Sequence, residues 1–158
     1  MKKTLVLIST FFNIGNFPIA PGTLASAVTT GIFFLANYLF NPLLSSQILA
    51  IIIIFLIGIP AARAGESHFG KKDPHSIVID EVAGQMITLL FLTAEFTTYS
   101  ISFYIAGFFI FRFFDILKPF PVNIADRLKG GFGIMFDDVV AGLYSLGTVQ
   151  LIRYLFFN

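Results

Sequence analysis

Four stretches of the chain, residues 24–40, 47–64, 99–117 and 139–157, are long, apolar and carry no more than two charged residues each. A helix needs roughly 20 apolar residues to cross about 30 Å of hydrocarbon, and within lipid each backbone amide must be satisfied inside its own helix. The expected architecture is therefore an all-α, polytopic membrane helical bundle, one domain over residues 1–158. Composition agrees, since 12% of the residues are charged where soluble domains carry about 25%. A fifth stretch, residues 82–94, is only about 20 Å long as a helix, so it spans only if it starts earlier or the bilayer thins around it. The count is thus about five transmembrane or half-spanning helices. Residues 4–12 are too few to cross and are expected to form a short N-terminal interfacial helix or re-entrant piece. The start, MKKTLVLISTFF, has the basic and apolar parts of a signal peptide, but no small-residue cleavage site precedes NIGNFPIAPG, so it is expected to be retained.

If these segments alternate, the N-terminus, residues 63–81 and residues 112–138 share one side of the membrane. That side holds nine of the ten basic residues, all but Arg153, and eight of the nine acidic ones, all but Glu95. Lys and Arg concentrate in cytoplasmic loops, which predicts a multi-pass protein of the inner (cytoplasmic) membrane with its polar face towards the cytoplasm. The absence of cysteine excludes disulfides, thiolate metal sites and a cysteine nucleophile. A net charge of +1 gives no reason to expect a nucleic-acid partner.

Three polar clusters reach this face. In GNFPIAPGTLAS, residues 15–26, two prolines and Gly22 enforce a turn, and Thr23 or Ser26 is expected to cap the following helix. Exposed amides at such a start favour an anion such as phosphate, although an ordinary capping turn would look the same. In DPHSIVIDEVAGQ, residues 73–85, Asp80 or Glu81 would complement a helix dipole. One acid suffices for that, and adjacent helical residues point about 100° apart, so the second is available to a site. Gly84 lets another helix approach closely, and the pattern recurs in Asp137 and Asp138 with Ala141 and Gly142.

In the third cluster, residues 111–138, Arg112, Asp115 and Lys118 form a polar stripe on an apolar helix that Pro119 and Pro121 end. An Arg112–Asp115 ion pair would explain part of it, and KGGFG is expected as a flexible approach to the second acid pair. Carboxylates from three helix ends, Asp80 or Glu81, Asp115, and Asp137 or Asp138, would repel one another unless a cation sits among them. Oxygen ligands without cysteine or paired histidines favour Mg2+ over Zn2+, and His68 and His75 are expected at the surface or in hydrogen bonds. With Arg112, Lys118, Arg127 and Lys129 alongside, the set suits a phosphorylated substrate. An ion or solute transporter is the alternative, and it predicts carboxylates spread through the membrane depth.

Four ordered motifs carry a resemblance: P-x-x-P-G-T-x-x-S (Pro18 to Ser26), S-I-V-x-D-E-x-x-G (Ser76 to Gly84), F-R-x-x-D-x-x-K-P-x-P (Phe111 to Pro121) and D-R-x-x-G-G-x-G-I-M-x-D-D-x-x-A-G (Asp126 to Gly142). In content and order they resemble the phosphatidylglycerophosphatase A family, from about Gly15 to Gly142. The resemblance implies a Mg2+-dependent integral membrane phosphatase that converts phosphatidylglycerophosphate to phosphatidylglycerol and inorganic phosphate. The family's acidic positions correspond to Asp80, Glu81, Asp115, Asp137 and Asp138, expected as metal ligands and catalytic groups. Water would attack phosphorus, with one carboxylate as general base. Gly22, Thr23, Ser26, Arg112, Lys118, Arg127 and Lys129 are expected to hold the substrate.

Overall fold

Pro21, with φ fixed for the first helical position, opens a helix that runs to Phe40, where Asn41 in the left-handed conformation and Pro42 turn the chain back. The computed structural model describes residues 2–71, 74–120, 122, 128 and 130–157. In chain order the helices are α1 (Lys2–Ser9), a 3-10 turn at Ile14–Asn16, α2 (Pro21–Phe40), α3 (Leu44–Phe69), α4 (Ile79–Thr88), α5 (Thr98–Leu117) and α6 (Gly130–Phe157). There is no strand among the described residues. Four helices, α2, α3, α5 and α6, are long and apolar enough to cross a membrane. Their outer faces carry exposed apolar side chains such as Leu56, Phe109 and Leu151, as lipid contact requires.

The weakest expected span is a half-length helix. α4 has ten residues, about 15 Å of rise; the Leu89 and Leu90 amides close its end on the Gln85 and Ile87 carbonyls, and the carbonyls just beyond the helix are met by α6. Gln150 Nε2 donates to the Leu90 carbonyl at 3.2 Å and Arg153 Nη1 to that of Phe91 at 2.8 Å, both from α6. Non-helical backbone at membrane depth is tolerable only where protein supplies such partners. Thr97 then caps α5 by accepting from the Ser100 amide at 3.2 Å. Beneath α4 a core of Phe33, Ile87, Leu89, Leu90, Phe103 and Val149 closes the middle of the bundle.

The most extensive helix contact is between α4 and α6. A Cβ on Gly84 would lie 2.5 Å from the Asp138 carbonyl oxygen, and one on Gly142 would lie 2.5 Å from that of Gly84. The two backbones therefore touch, which only glycine permits. The short N-terminal helix α1 packs along α3, and the Ser9 carbonyl accepts from the Val78 amide at 2.9 Å, tying the start of the chain to the entry of α4.

Three local expectations are corrected. Neither Thr23 nor Ser26 caps α2: the helix starts on Pro21 without a side-chain cap, and buried Ser26 donates its hydroxyl to the Gly22 carbonyl at 3.0 Å. Gly130 to Gly133 are no flexible approach but the first turn of α6, where Gly131 lets the backbone close on the Ile59 carbonyl of α3. Consequently Asp137 and Asp138 sit two turns inside α6, not at a helix start, so capping gives them no role.

Candidate active site

The site lies where five helix segments meet. α2 and α4 begin there, α5 ends there, the first turns of α6 pass through it, and the 3-10 turn closes one side. Together they enclose a cleft of about 790 Å³ whose walls include Gly22, Thr23, Asp80, Glu81, Arg112, Asp115, Lys118, Asp137 and Asp138.

Asp80 and Glu81, in the first turn of α4, meet Asp138 of α6: one carboxylate oxygen from each lies within 4.8 Å of the others. Asp80 and Asp138 are 8% and 3% exposed. Asp80 Oδ1, Glu81 Oε2 and Asp138 Oδ2 are buried without a hydrogen-bond partner, an arrangement that burial makes costly for bare carboxylates. Burial, followed by the charges of Glu81 and Asp138, raises the Asp80 carboxyl well above its usual range. Burial likewise pushes Glu81 up to about 7, against the opposing hydrogen bond from Asp80. Two oxygen ligands on opposite sides of a Mg2+ ion lie about 4.2 Å apart, given metal–oxygen distances near 2.1 Å. The spacing and the orphaned oxygens therefore fit a hard divalent cation. No histidine joins this group among the described residues, and His75 is an exposed residue on the cleft wall.

The other two acids hold the cationic side chains. Arg112 Nη1 lies 2.5 Å from Asp115 Oδ2 and 3.7 Å from Glu81 Oε1, so the expected ion pair exists and extends into the acid cluster. Lys118, whose backbone adopts φ 42° at the end of α5, reaches back to Asp137 Oδ2 at 2.7 Å. Of the five expected acids, three converge on one point, while Asp115 and Asp137 fix positive charge around it.

Gly22 and Thr23 stand on the cleft wall, and a Cβ on Gly22 would run into Glu81 Oε1 first and come within 3.4 Å of Arg112 Nη1. Gly22→Ala is therefore expected to displace the Glu81 carboxylate and lower turnover about 100-fold with the fold retained, as read by phosphate release and thermal unfolding of the purified variant. Ser26 lies one turn deeper and outside the cleft wall. Arg127 and Lys129 lie outside the described residues.

Sequence reasoning passed over Asn16 and Ser76, which also line the cleft, and Gln85. Gln85 is fully buried, with neither amide atom hydrogen-bonded, one turn below Glu81 on α4. An amide in so apolar a frame, four residues after an acid, is the signal that could have found it.

The family model for phosphatidylglycerophosphatase A matches residues 7–153. The chain is 38% identical over 151 residues to phosphatidylglycerophosphatase A of Haemophilus influenzae, covering 94% of this chain and 88% of that one. It is 37% identical over 155 residues to phosphatidylglycerophosphatase A of Escherichia coli K12, covering 98% and 86%. A Bacteroides thetaiotaomicron protein provisionally named phosphatidylinositol-3-phosphatase is 40% identical over 152 residues, covering 94% and 93%. No solved structure matches the chain. A bundle with four long apolar helices and a buried acid cleft, and relatives matched over nearly their whole length, lead to one conclusion: the chain belongs to the phosphatidylglycerophosphatase A family and is a lipid phosphatase.

Proposed function

We propose that this protein removes the terminal phosphate of phosphatidylglycerophosphate, giving phosphatidylglycerol and inorganic phosphate, in a Mg2+-dependent reaction at the cytoplasmic face of the inner membrane. The observation that carries the reading is the convergence of two buried carboxylates and the half-buried Glu81, each with one buried oxygen that lacks a hydrogen-bond partner, beside ion-paired Arg112 and Lys118.

Asp80, Glu81 and Asp138 would hold the ion, which when bound supplies charge neutralisation for phosphoryl oxygens and acidifies water. Arg112, steered by Asp115 and Glu81, presents a fixed guanidinium to the phosphoryl group, and Lys118 adds a second positive charge across the cleft. A carboxylate of the acid pairs takes the proton from the attacking water. The Gly22–Thr23 turn lies close enough to Glu81 to bound the phosphate on the remaining side. The basic residues that share this end of the bundle, from Arg63 on α3 to Lys118 after α5, favour the cytoplasmic side.

The test is phosphate release by purified protein from phosphatidylglycerophosphate in mixed micelles, with Mg2+ or with EDTA. Release that persists in EDTA removes the metal from the reading. Faster release from phosphatidylinositol 3-phosphate would favour the activity named for the Bacteroides relative instead.

Metal binding must also be coupled to protons. The Glu81 carboxyl moves from the usual 4.5 to about 7 on folding. Without metal its contribution to stability is therefore full below pH 4.5 and lost as pH rises through about 7. Mg2+ competes with those protons, so its stabilisation grows over the same interval. The rise in Tm on adding Mg2+ is expected to be larger at pH 8 than at pH 6, and equal rises at both would separate Glu81 from the ion.

A further inference from the structure

A second cavity, about 420 Å³ and almost wholly apolar, opens between α2, α3 and α4 on the membrane side of the cleft. Phe33 and Ala36 of α2, Ala50 and Ile54 of α3, and Val82 and Met86 of α4 form its walls. Its volume lies within the range of about 300–1,000 Å³ usual for small-molecule sites.

Four wall residues are polar: Asn37 Nδ2 donates to the Phe33 carbonyl, Ser46 to the Leu43 carbonyl and Gln47 Nε2 to Asn37 Oδ1, while Gln47 Oε1 and the Thr29 hydroxyl have no partner. Thr29 is 4% exposed, and its hydroxyl has no hydrogen-bond partner. The neighbouring hydroxyls on α2 are satisfied by their own helix: Ser26 donates to the Gly22 carbonyl at 3.0 Å and Thr30 to the Ser26 carbonyl at 2.8 Å. Thr29 is thus a groove-wall residue whose buried hydroxyl lacks an acceptor, and a ligand bearing an oxygen at that depth and hydrocarbon beyond it would supply one.

Cleft and groove are consecutive along two helices. Val82 on the groove directly follows Glu81 on the cleft. Thr29 lies seven residues after Gly22 on α2, about 10 Å along the helix axis. A lipid whose terminal phosphate sits among the carboxylates has its glyceride esters one headgroup length away, where its chains enter hydrocarbon. We propose that this groove receives an acyl chain of the substrate lipid, with the Thr29 hydroxyl donating to an ester carbonyl at its entrance. The proposal rests on the reading that the carboxylate cleft cleaves a lipid phosphate, and it adds where the rest of that lipid lies.

Two kinetic comparisons and one labelling experiment test it. Ala50→Phe, which fills the groove from α3, is expected to lower the ratio of kcat/KM for dipalmitoyl over dihexanoyl phosphatidylglycerophosphate about tenfold; an unchanged ratio overturns the groove. Wild-type protein is expected to prefer the ester lipid over its ether analogue about fivefold, a preference that Thr29→Val abolishes; a preference that survives removes Thr29 as donor. Independently of turnover, phosphatidylglycerophosphate with a diazirine in its acyl chain is expected to label α2 and α4 groove peptides several-fold more than the same phosphatidylethanolamine probe. Equal labelling means bulk lipid only and overturns the proposal. Wild-type protein that releases phosphate from none of these lipids refutes the phosphatase substrate, while the labelling ratio still decides the groove.

Discussion

Asp138→Asn is expected to reduce phosphate release about 1,000-fold while leaving the metal-free protein at least as stable as the parent. Losing one preorganised electrostatic partner in a buried site costs about 2.7–4 kcal/mol of transition-state stabilisation, and a factor of ten corresponds to about 1.4 kcal/mol. Stability moves the other way because the three carboxyls oppose one another when no cation is bound: the Asp138 charge is among the causes that raise Asp80, after burial and Glu81. Neutralising one member relieves the others without opening a cavity. Steady-state phosphate release and thermal unfolding in EDTA, run on the same preparation, check both halves. Near-parental turnover would show that the three carboxylates gather for a reason other than catalysis.

Gly84→Val is expected to be the most damaging change outside the acids. Any Cβ at this position meets the Asp138 backbone oxygen at 2.5 Å and the Phe111 ring at 2.6 Å. Backbone does not yield as a flexible side-chain end does, so α4 and α6 must separate, at a cost of about 3 kcal/mol. The same separation pulls Asp80 and Glu81 away from Asp138, and turnover is expected to fall 100-fold or more. Gly31 is the matched control, since a Cβ there meets nothing within 4 Å. Gly31→Ala is expected to stabilise α2 by about 1 kcal/mol with unaltered phosphate release. Thermal unfolding and activity of the two variants in one detergent distinguish a crossing effect from a general aversion to replacing glycine.

The spans were legible because lipid imposes length and apolarity directly on the chain, and α2, α3 and α5 begin and end within a few residues of the expected limits. The meeting of Asp80–Glu81 with Asp138 was legible in outline, because the small residues one turn beyond each pair, Gly84 and Gly142, already implied two backbones in contact. What could not be read was the rotation of each helix about its axis. In helices apolar on nearly every side, periodicity does not say which carboxylate faces inward. Both members of the first pair enter the cluster, whereas Asp137 of the second turns to Lys118. Asp115 likewise serves Arg112. The start of α6 was hidden because glycines normally break helices, and only the close approach of Gly131 to α3 explains their place within one. Gln85 and Thr29 share a difficulty: a polar residue inside an apolar helix resembles a tolerated exception until its lack of a partner is visible.

The truncated α4 has a consequence for the membrane itself. Acidic residues sunk below a surface invite protons and metal ions to pass through, and a full-length helix of this kind could open a wet route along its polar face. Here the helix stops, the Leu90 and Phe91 carbonyls just beyond it are held by Gln150 and Arg153, and Phe33, Leu89, Leu90 and Phe103 fill the space below. That apolar plug closes the inner side of the cleft, so a cation that enters among the carboxylates would have to leave by the way it came. An enzyme can thus hold a charged reaction centre within an apolar bundle without a polar path running through it.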